Sequence, residues 1–291
     1  MIRIDAHVHL YPSAANADPA GWAVAQGESA WATLATRVRR DGRPVQGFPS
    51  VDALLREMDR AGVDRAVLQG WYWTKPATCT LQNRFFAQCL RAHPDRLLAF
   101  ATLHPGAGFW PTLEEMHRAR DAGLAGFGEL SPHAQGYAVD DAVFTEVLTL
   151  AGDWKMPVTL HVTDPDSKPF PGRVDTPLAD FVTLARQFPH TTFILAHWGG
   201  LLPLRDPAAA QLSNLWYDTA ASPLLYDAGI WSRFAGVVPS TRIVFGSDYP
   251  LDLYRGTAVN SGWAEFQREA VAGGAGPDIL GGNLRRLLKL D

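Results

Sequence analysis

Six side chains of metal-ligand type recur at matching places in this 291-residue chain. His7 and His9 form a His-x-His pair after a short apolar run, and Glu129, His161, His197 and Asp248 each follow a further run. Side chains on a strand alternate between faces, so a His-x-His pair aims both imidazoles to one side. Imidazoles joined by carboxylates suit a borderline-soft divalent cation such as Zn²⁺. Each residue alone has an ordinary explanation: a strand-end histidine hydrogen-bonded into the structure, or an aspartate capping the loop to Pro250. Six such groups at corresponding ends of five runs are hard to obtain from packing alone. The pattern predicts a bound divalent cation, and a site that makes hydroxide available near neutral pH.

The elements that must carry these groups are eight β-branched or apolar runs: 2–6, 65–69, 97–103, 124–128, 157–160, 192–196, 215–218 and 242–246. Near-continuous apolar runs without strict alternation suit parallel strands covered by helices. Helical stretches are expected between them over 51–61, 81–92, 112–122, 140–150, 177–187 and 223–235, with a weaker one near 206–212. Ser50 or Asp52 can cap the first of these and Gly62 stops it. Eight strand–helix units predict a (β/α)₈ TIM barrel, in which residues past the strand ends face the active-site mouth. No G-x-G-x-x-G follows the first strand to favour a doubly wound sheet.

With 47% hydrophobic and 19% charged residues the chain can fill one large core, and 1–291 reads as a single barrel domain. Residues 11–49 interrupt the rhythm as an insertion with Trp22 and Trp31, either a lid over the site or a surface packed on a second subunit. A net charge of −4 with no basic runs argues against nucleic-acid and anionic-membrane partners. Cys79 and Cys89 fit no zinc spacing and read as reduced thiols of a cytoplasmic protein. The polar N-terminus is unlike a signal peptide, and no apolar run reaches a membrane span.

Four motifs carry a resemblance. Asp5-Ala6-His7-Val8-His9, Val158-Thr159-Leu160-His161, Ala196-His197-Trp198-Gly199-Gly200 and Phe245-Gly246-Ser247-Asp248-Tyr249-Pro250 resemble the amidohydrolase superfamily. The last is most similar to its amidohydrolase-related branch, which holds hydrolases of carboxylated lactones and aminocarboxymuconate-semialdehyde-type decarboxylases. The resemblance implies a first metal on His7, His9, His161 and Asp248, with His197 as a further ligand or a transition-state donor. It also implies that Glu129, on the fourth strand, can bridge to a second metal, as in TatD-like nucleases, or else orient substrate or a histidine. The acidic balance of this chain suits phosphodiesters poorly.

These assignments lead to hydrolysis of a small ester, lactone or amide, with Asp248 moving the proton and His197 or the metal stabilising the oxyanion. Nonoxidative decarboxylation of an aromatic or muconate-type acid is the alternative, and it calls for a cation near the metal. No Arg or Lys immediately follows a predicted strand, which favours hydrolysis. Lys168 and Arg173, in the Pro-rich loop after strand five, are either partners of a substrate carboxylate or solvated loop charges. A catalytically silent barrel would leave six ligands without use. Substrate contacts are expected from Trp71, Trp73, His104, His133 and Tyr249, which with Tyr72, Tyr137, Trp198 and Tyr217 make an aromatic mouth for a cyclic or carboxylated small molecule. Exposed aromatics also allow a homodimer.

Overall fold

A computed structural model describes residues 2–254 and 262–290. Eight parallel strands follow one another around a (β/α)₈ barrel: β1 Ile4–Val8, β2 Arg65–Leu68, β3 Leu97–Ala101, β4 Gly126–Leu130, β5 Val158–Leu160, β6 Phe193–Leu195, β7 Leu215–Asp218 and β8 Ile243–Val244. The segments after β8 meet β1 through Ala6 N–H to Phe245 O (2.7 Å) and Asp248 N–H to His7 O (2.9 Å).

All eight expected strands are present, but β1 and β4 run two residues further than their apolar patterns suggest. His7 and Glu129 therefore lie inside strands rather than past them. Both strands also shift register, between Asp5 and Val8 and between Phe127 and Leu130, which re-aims the side chains there.

Alternation explains why the strands read as solid apolar runs. Ile4, Val67, Phe100, Ile194 and Val244 fill the barrel interior, whereas neighbours such as Leu68, Ala99, Phe193 and Leu195 join the layer beneath the helices. Phe100 needs room: a Cβ on Gly126 would stand 2.8 Å from its ring.

The helix Val51–Ala61 forms as its sequence predicts. Ser50 Oγ accepts from Ala53 N–H at 3.2 Å, and Gly62 ends the helix with a φ of +66°. The expected helix at 223–235 is split into Ser222–Leu225 and Ile230–Ala235, and the weak one near 206–212 is a single 3₁₀ turn, Ala209–Gln211.

The insertion contains three short helices, Ser13–Ala17, Pro19–Gln26 and Ser29–Ala35. They build a satellite core in which Tyr11, Trp22 and Trp31 pack against Trp71, Tyr72 and Trp73 of the loop after β2. Burying each tryptophan removes roughly 150–250 Å² from water, on the order of 4–6 kcal/mol. Glu28 fastens the insertion further by accepting from Thr74 N–H, Thr74 Oγ1–H and Lys75 N–H at 2.8–2.9 Å. Among the described residues no helix is long and apolar enough to cross a membrane.

Candidate metal centre

The six sequence-predicted ligands converge at the C-terminal ends of the strands. His7 Nε2 and His9 Nε2 lie 3.2 Å apart. That is close to the edge of about 3.3 Å expected for two nitrogens tetrahedrally bound to zinc at about 2.0–2.1 Å. Asp248 Oδ1 stands 3.4 Å from His9 Nε2 and 3.9 Å from His7 Nε2.

Glu129 connects this pair to the others. Its Oε2 is 3.8 Å from His7 Nε2 and 3.7 Å from His9 Nε2, while its Oε1 is 2.9 Å from His161 Nδ1 and 3.8 Å from His197 Nε2. One buried carboxylate thus presents a different oxygen to each of two histidine pairs. His7–His9–Glu129 and Glu129–His161–His197 are each compact enough to hold an ion.

Three of the histidines are held in one tautomer by what their other nitrogen meets. His7 Nδ1–H donates to Asp218 Oδ2 at 2.8 Å, His9 Nδ1–H to Gln69 O at 3.2 Å, and His197 Nδ1–H to Ala220 O at 3.0 Å. In the neutral ring each Nε2 then turns its lone pair to the centre, and on His7 a bound cation would take the place of the proton that the surrounding carboxylates favour. His161 is the exception, since it turns Nδ1 toward Glu129. The donor set fits divalent cations: acceptor nitrogens face one another across gaps of coordination size, with four buried carboxylates, Asp5, Glu129, Asp218 and Asp248, around them.

The electrostatics follow from that crowding. Burial disfavours charge on His7, but Asp218 and Glu129 outweigh it and push its pKa up to about 10. Burial and the neighbouring His7 push His9 down to about 4. Burial opposes charge on Glu129, yet His161 and His7 hold it well below the usual carboxylate range. Asp5 is pushed up to about 7, chiefly by burial.

Two of the expected ligands, His197 and Asp248, sit on backbone that a non-glycine residue uncommonly adopts. His197, Trp198, Gly199, Gly200 and Leu201 are all left-handed, with φ of 57–63°. A Cβ on Gly199 would lie 2.8 Å from the Tyr217 ring, so the Gly-Gly pair is what lets this turn tuck under His197. Asp248 has a φ of +66°. Such conformations cost of order 1–3 kcal/mol each and persist where the surroundings enforce them.

Asp218 and Asp5 were missed as site residues. Asp218 Oδ2 receives His7, while Oδ1 accepts from His197 N–H (2.9 Å) and Ala220 N–H (3.0 Å), so one carboxylate orients a histidine of each pair. It is the last residue of β7, and inspecting every strand end for polar groups finds it. Asp5 ties β1 to the loop carrying Asp248 by accepting from Ser247 N–H at 3.1 Å. It precedes the rim and gave no comparable signal.

A cavity of about 290 Å³ opens above the centre. Of the expected substrate contacts, Trp71 lines it, with its ring 5.1 Å from that of His9. Tyr72 lines it too, stacked on Trp71 and 4.8 Å from the His161 ring. Trp73, His104, His133 and Tyr249 do not line it. Trp73 is fully buried and donates Nε1–H to Gln82. His104 is fixed between Gly106 N–H and Gln135 O. His133 pairs with Asp180 at 2.9 Å, and Tyr249 packs on Trp263. All four are engaged by contacts within the fold rather than turned to the cavity.

The insertion and the loop after β5 contribute the cations that no strand end supplies. Arg37 and Arg173 both line the cavity. Arg173 is held by Asp175, Ser167 and backbone carbonyls. Arg37 lies 4.6 Å over the Phe170 ring and donates Nε–H to Leu34 O, but among the described residues it has no carboxylate partner.

Comparison with known proteins places this geometry in context. Residues 4–290 match the family described as Amidohydrolase. No curated protein matches the sequence. Among solved structures, the chain is similar to 5-carboxyvanillate decarboxylase from Novosphingobium aromaticivorans, in complex with manganese and a nitrobenzoic acid (17% identity, 99% of this chain and 96% of that one, TM-score 0.74). It is similar to 2,6-dihydroxybenzoate decarboxylase from Rhizobium (18%, 100% and 99%, TM-score 0.67). It is also similar to 4-oxalomesaconate hydratase from Rhodopseudomonas palustris (19%, 99% and 96%, TM-score 0.68). At these identities the likeness shows the shared barrel fold.

Proposed function

The chain belongs to the amidohydrolase family and is an enzyme of that superfamily, and from that premise we propose that it is a metal-dependent hydrolase of small carboxylated esters, lactones or amides. The observation that carries the reading is Glu129, whose two oxygens serve two separate histidine pairs. His7, His9, Asp248 and Glu129 Oε2 would hold one divalent ion, with Zn²⁺ the expected metal, and Glu129 Oε1, His161 and His197 a second. When bound, such a pair supplies Lewis acidity to a carbonyl and lowers the pKa of water toward neutrality.

The chain's own groups supply the rest. Asp248, beside both histidine pairs, accepts the proton of the attacking water and passes it to the leaving group. Asp218 holds His7 and His197 in place while charge develops. Trp71 and Tyr72 offer flat apolar faces to a ring, and Arg37, which has no carboxylate partner among the described residues, offers its guanidinium to a substrate carboxylate.

A second reading, nonoxidative decarboxylation of an aromatic acid, draws support from the same Arg37 and from the decarboxylases that share the fold. In it, Asp248, protonated from solvent, would deliver that proton to the ring carbon, and the substrate carboxylate would depart as CO₂, leaving Asp248 ionised. Zinc- or manganese-loaded protein assayed with carboxylated lactones, esters and amides, and separately with hydroxybenzoic acids, distinguishes the two. Acid release without CO₂ supports hydrolysis. CO₂ release from the aromatic acids, with lactones, esters and amides untouched, overturns it.

A further inference from the structure

Residues 37–47 of the insertion form a hairpin that reaches from the cavity to the chain just beyond Asp248. Within it, Arg39 N–H donates to Arg43 O at 2.7 Å and Val45 N–H to Arg37 O at 2.9 Å. The second limb pairs antiparallel with the segment after β8: Gly47 N–H donates to Pro250 O at 3.0 Å, and Asp252 N–H to Val45 O at 2.9 Å. Leu251 N–H then donates to Asp248 O at 3.0 Å. A continuous run of backbone hydrogen bonds thus joins the strand carrying Arg37 to Asp248.

One side-chain contact locks the end of this ladder. The Arg39 guanidinium donates to Asp252 O, and its Nη1 stands 3.4 Å from Asp252 Oδ2, with 14% and 22% of the two side chains exposed. Asp248 sits at a left-handed φ of +66°, uncommon for any residue but glycine although aspartate tolerates it better than most, and the bonds around it help to fix that backbone. Arg39 itself does not line the cavity.

We infer that Arg39, acting through Asp252, is a positioning residue: its clamp on the hairpin holds the Asp248 carboxylate at the angle its proton transfer requires. The inference rests on the reading of Asp248 as proton carrier. Small displacements of a reacting group, imposed from a distance, cost about 10²-fold in rate.

The test uses the zinc-loaded full chain with Arg39→Ala, Arg39→Lys and Asp248→Asn, measuring zinc content, amide hydrogen exchange, kcat and KM. In Arg39→Ala, the amides of 45–47, Tyr249, Leu251 and Asp252 should exchange about tenfold faster or more, while barrel-strand amides and zinc content stay unchanged. Its kcat should fall about 10- to 100-fold with KM within about threefold, and Arg39→Lys, which keeps the charge, should recover most of the loss. Unchanged exchange at Tyr249, Leu251 and Asp252 overturns the proposal, as does faster exchange with full kcat. A loss confined to KM, or loss of zinc, assigns Arg39 a structural role and also overturns it. If Asp248→Asn keeps full activity, the proton-carrier reading fails and the proposal with it. If Asp248→Asn is inactive and Arg39→Ala is not, only the clamp is refuted.

Discussion

Replacing Glu129 by glutamine probes the proposed centre at its single joint. The substitution keeps shape and volume but removes the charge, and only one of the two terminal atoms remains a good ligand. The pair His7–His9 keeps Asp248 as a third ligand, whereas His161 and His197 lose the carboxylate that faces them both and keep only Asp248 nearby, 3.8 Å from the His197 Nδ1 that is turned to Ala220 O. Wild-type protein should therefore bind about two zinc ions per chain and Glu129→Gln about one. The thermal consequence can be worked out. An ion present at about 1,000 times its Kd adds about 4 kcal/mol to folding stability. A chain of 291 residues unfolds with an entropy near 0.6 kcal/mol per kelvin, so each occupied site should raise Tm by about 7 °C. Comparison of EDTA-treated with zinc-saturated protein should give a rise of about 14 °C for wild type and about 7 °C for Glu129→Gln. Elemental analysis supplies the stoichiometry and differential scanning fluorimetry the shift. Turnover should fall by about 10²–10³. A variant with two ions and the full thermal rise would refute the bridging role, and so would a wild-type protein that saturates at one.

Three further substitutions separate the remaining roles. Asp248→Asn should keep most of its metal and lose about 10²–10⁴ of kcat, with metal analysis and steady-state kinetics as the check; full activity would remove the proton carrier. Asp218→Asn, which weakens the acceptor that orients His7 and His197, should lower metal affinity about 10- to 100-fold, read by titration against a competing chelator; an unchanged affinity would make Asp218 a bystander. Arg37→Ala should raise KM about 10- to 100-fold for a carboxylated substrate and leave its neutral methyl ester nearly unaffected. Equal effects on both would show that Arg37 packs rather than pairs.

The parts of this molecule that were legible share one property: they obey a strand's two-residue period or a helix's stop signals. Eight apolar runs identify the barrel because both faces of each strand are buried, and ligand-type residues at the run ends identify the centre because strand ends feed one rim. Period alone could not give depth within a strand, so the inclusion of His7 and Glu129 in β1 and β4 came only with the register shifts. Nor could it choose among the aromatic residues. Trp71 and Trp73 both follow β2 and both join the insertion's satellite core, yet Trp73 is fully enclosed there while Trp71 keeps an edge on the cavity. The cation shows the same limit more sharply. No Arg or Lys immediately follows a predicted strand, which by sequence favours hydrolysis over decarboxylation. The insertion nevertheless delivers Arg37 to the cavity from a point far from any strand in sequence. The divide is physical: the candidate metal ligands lie in the strands or within a few residues of their ends, while the cavity's cations come from segments whose path depends on tertiary packing. Because the hairpin carrying Arg37 is also bonded to the loop carrying Asp248, insertions at this position should alter rate as well as specificity in barrels built this way.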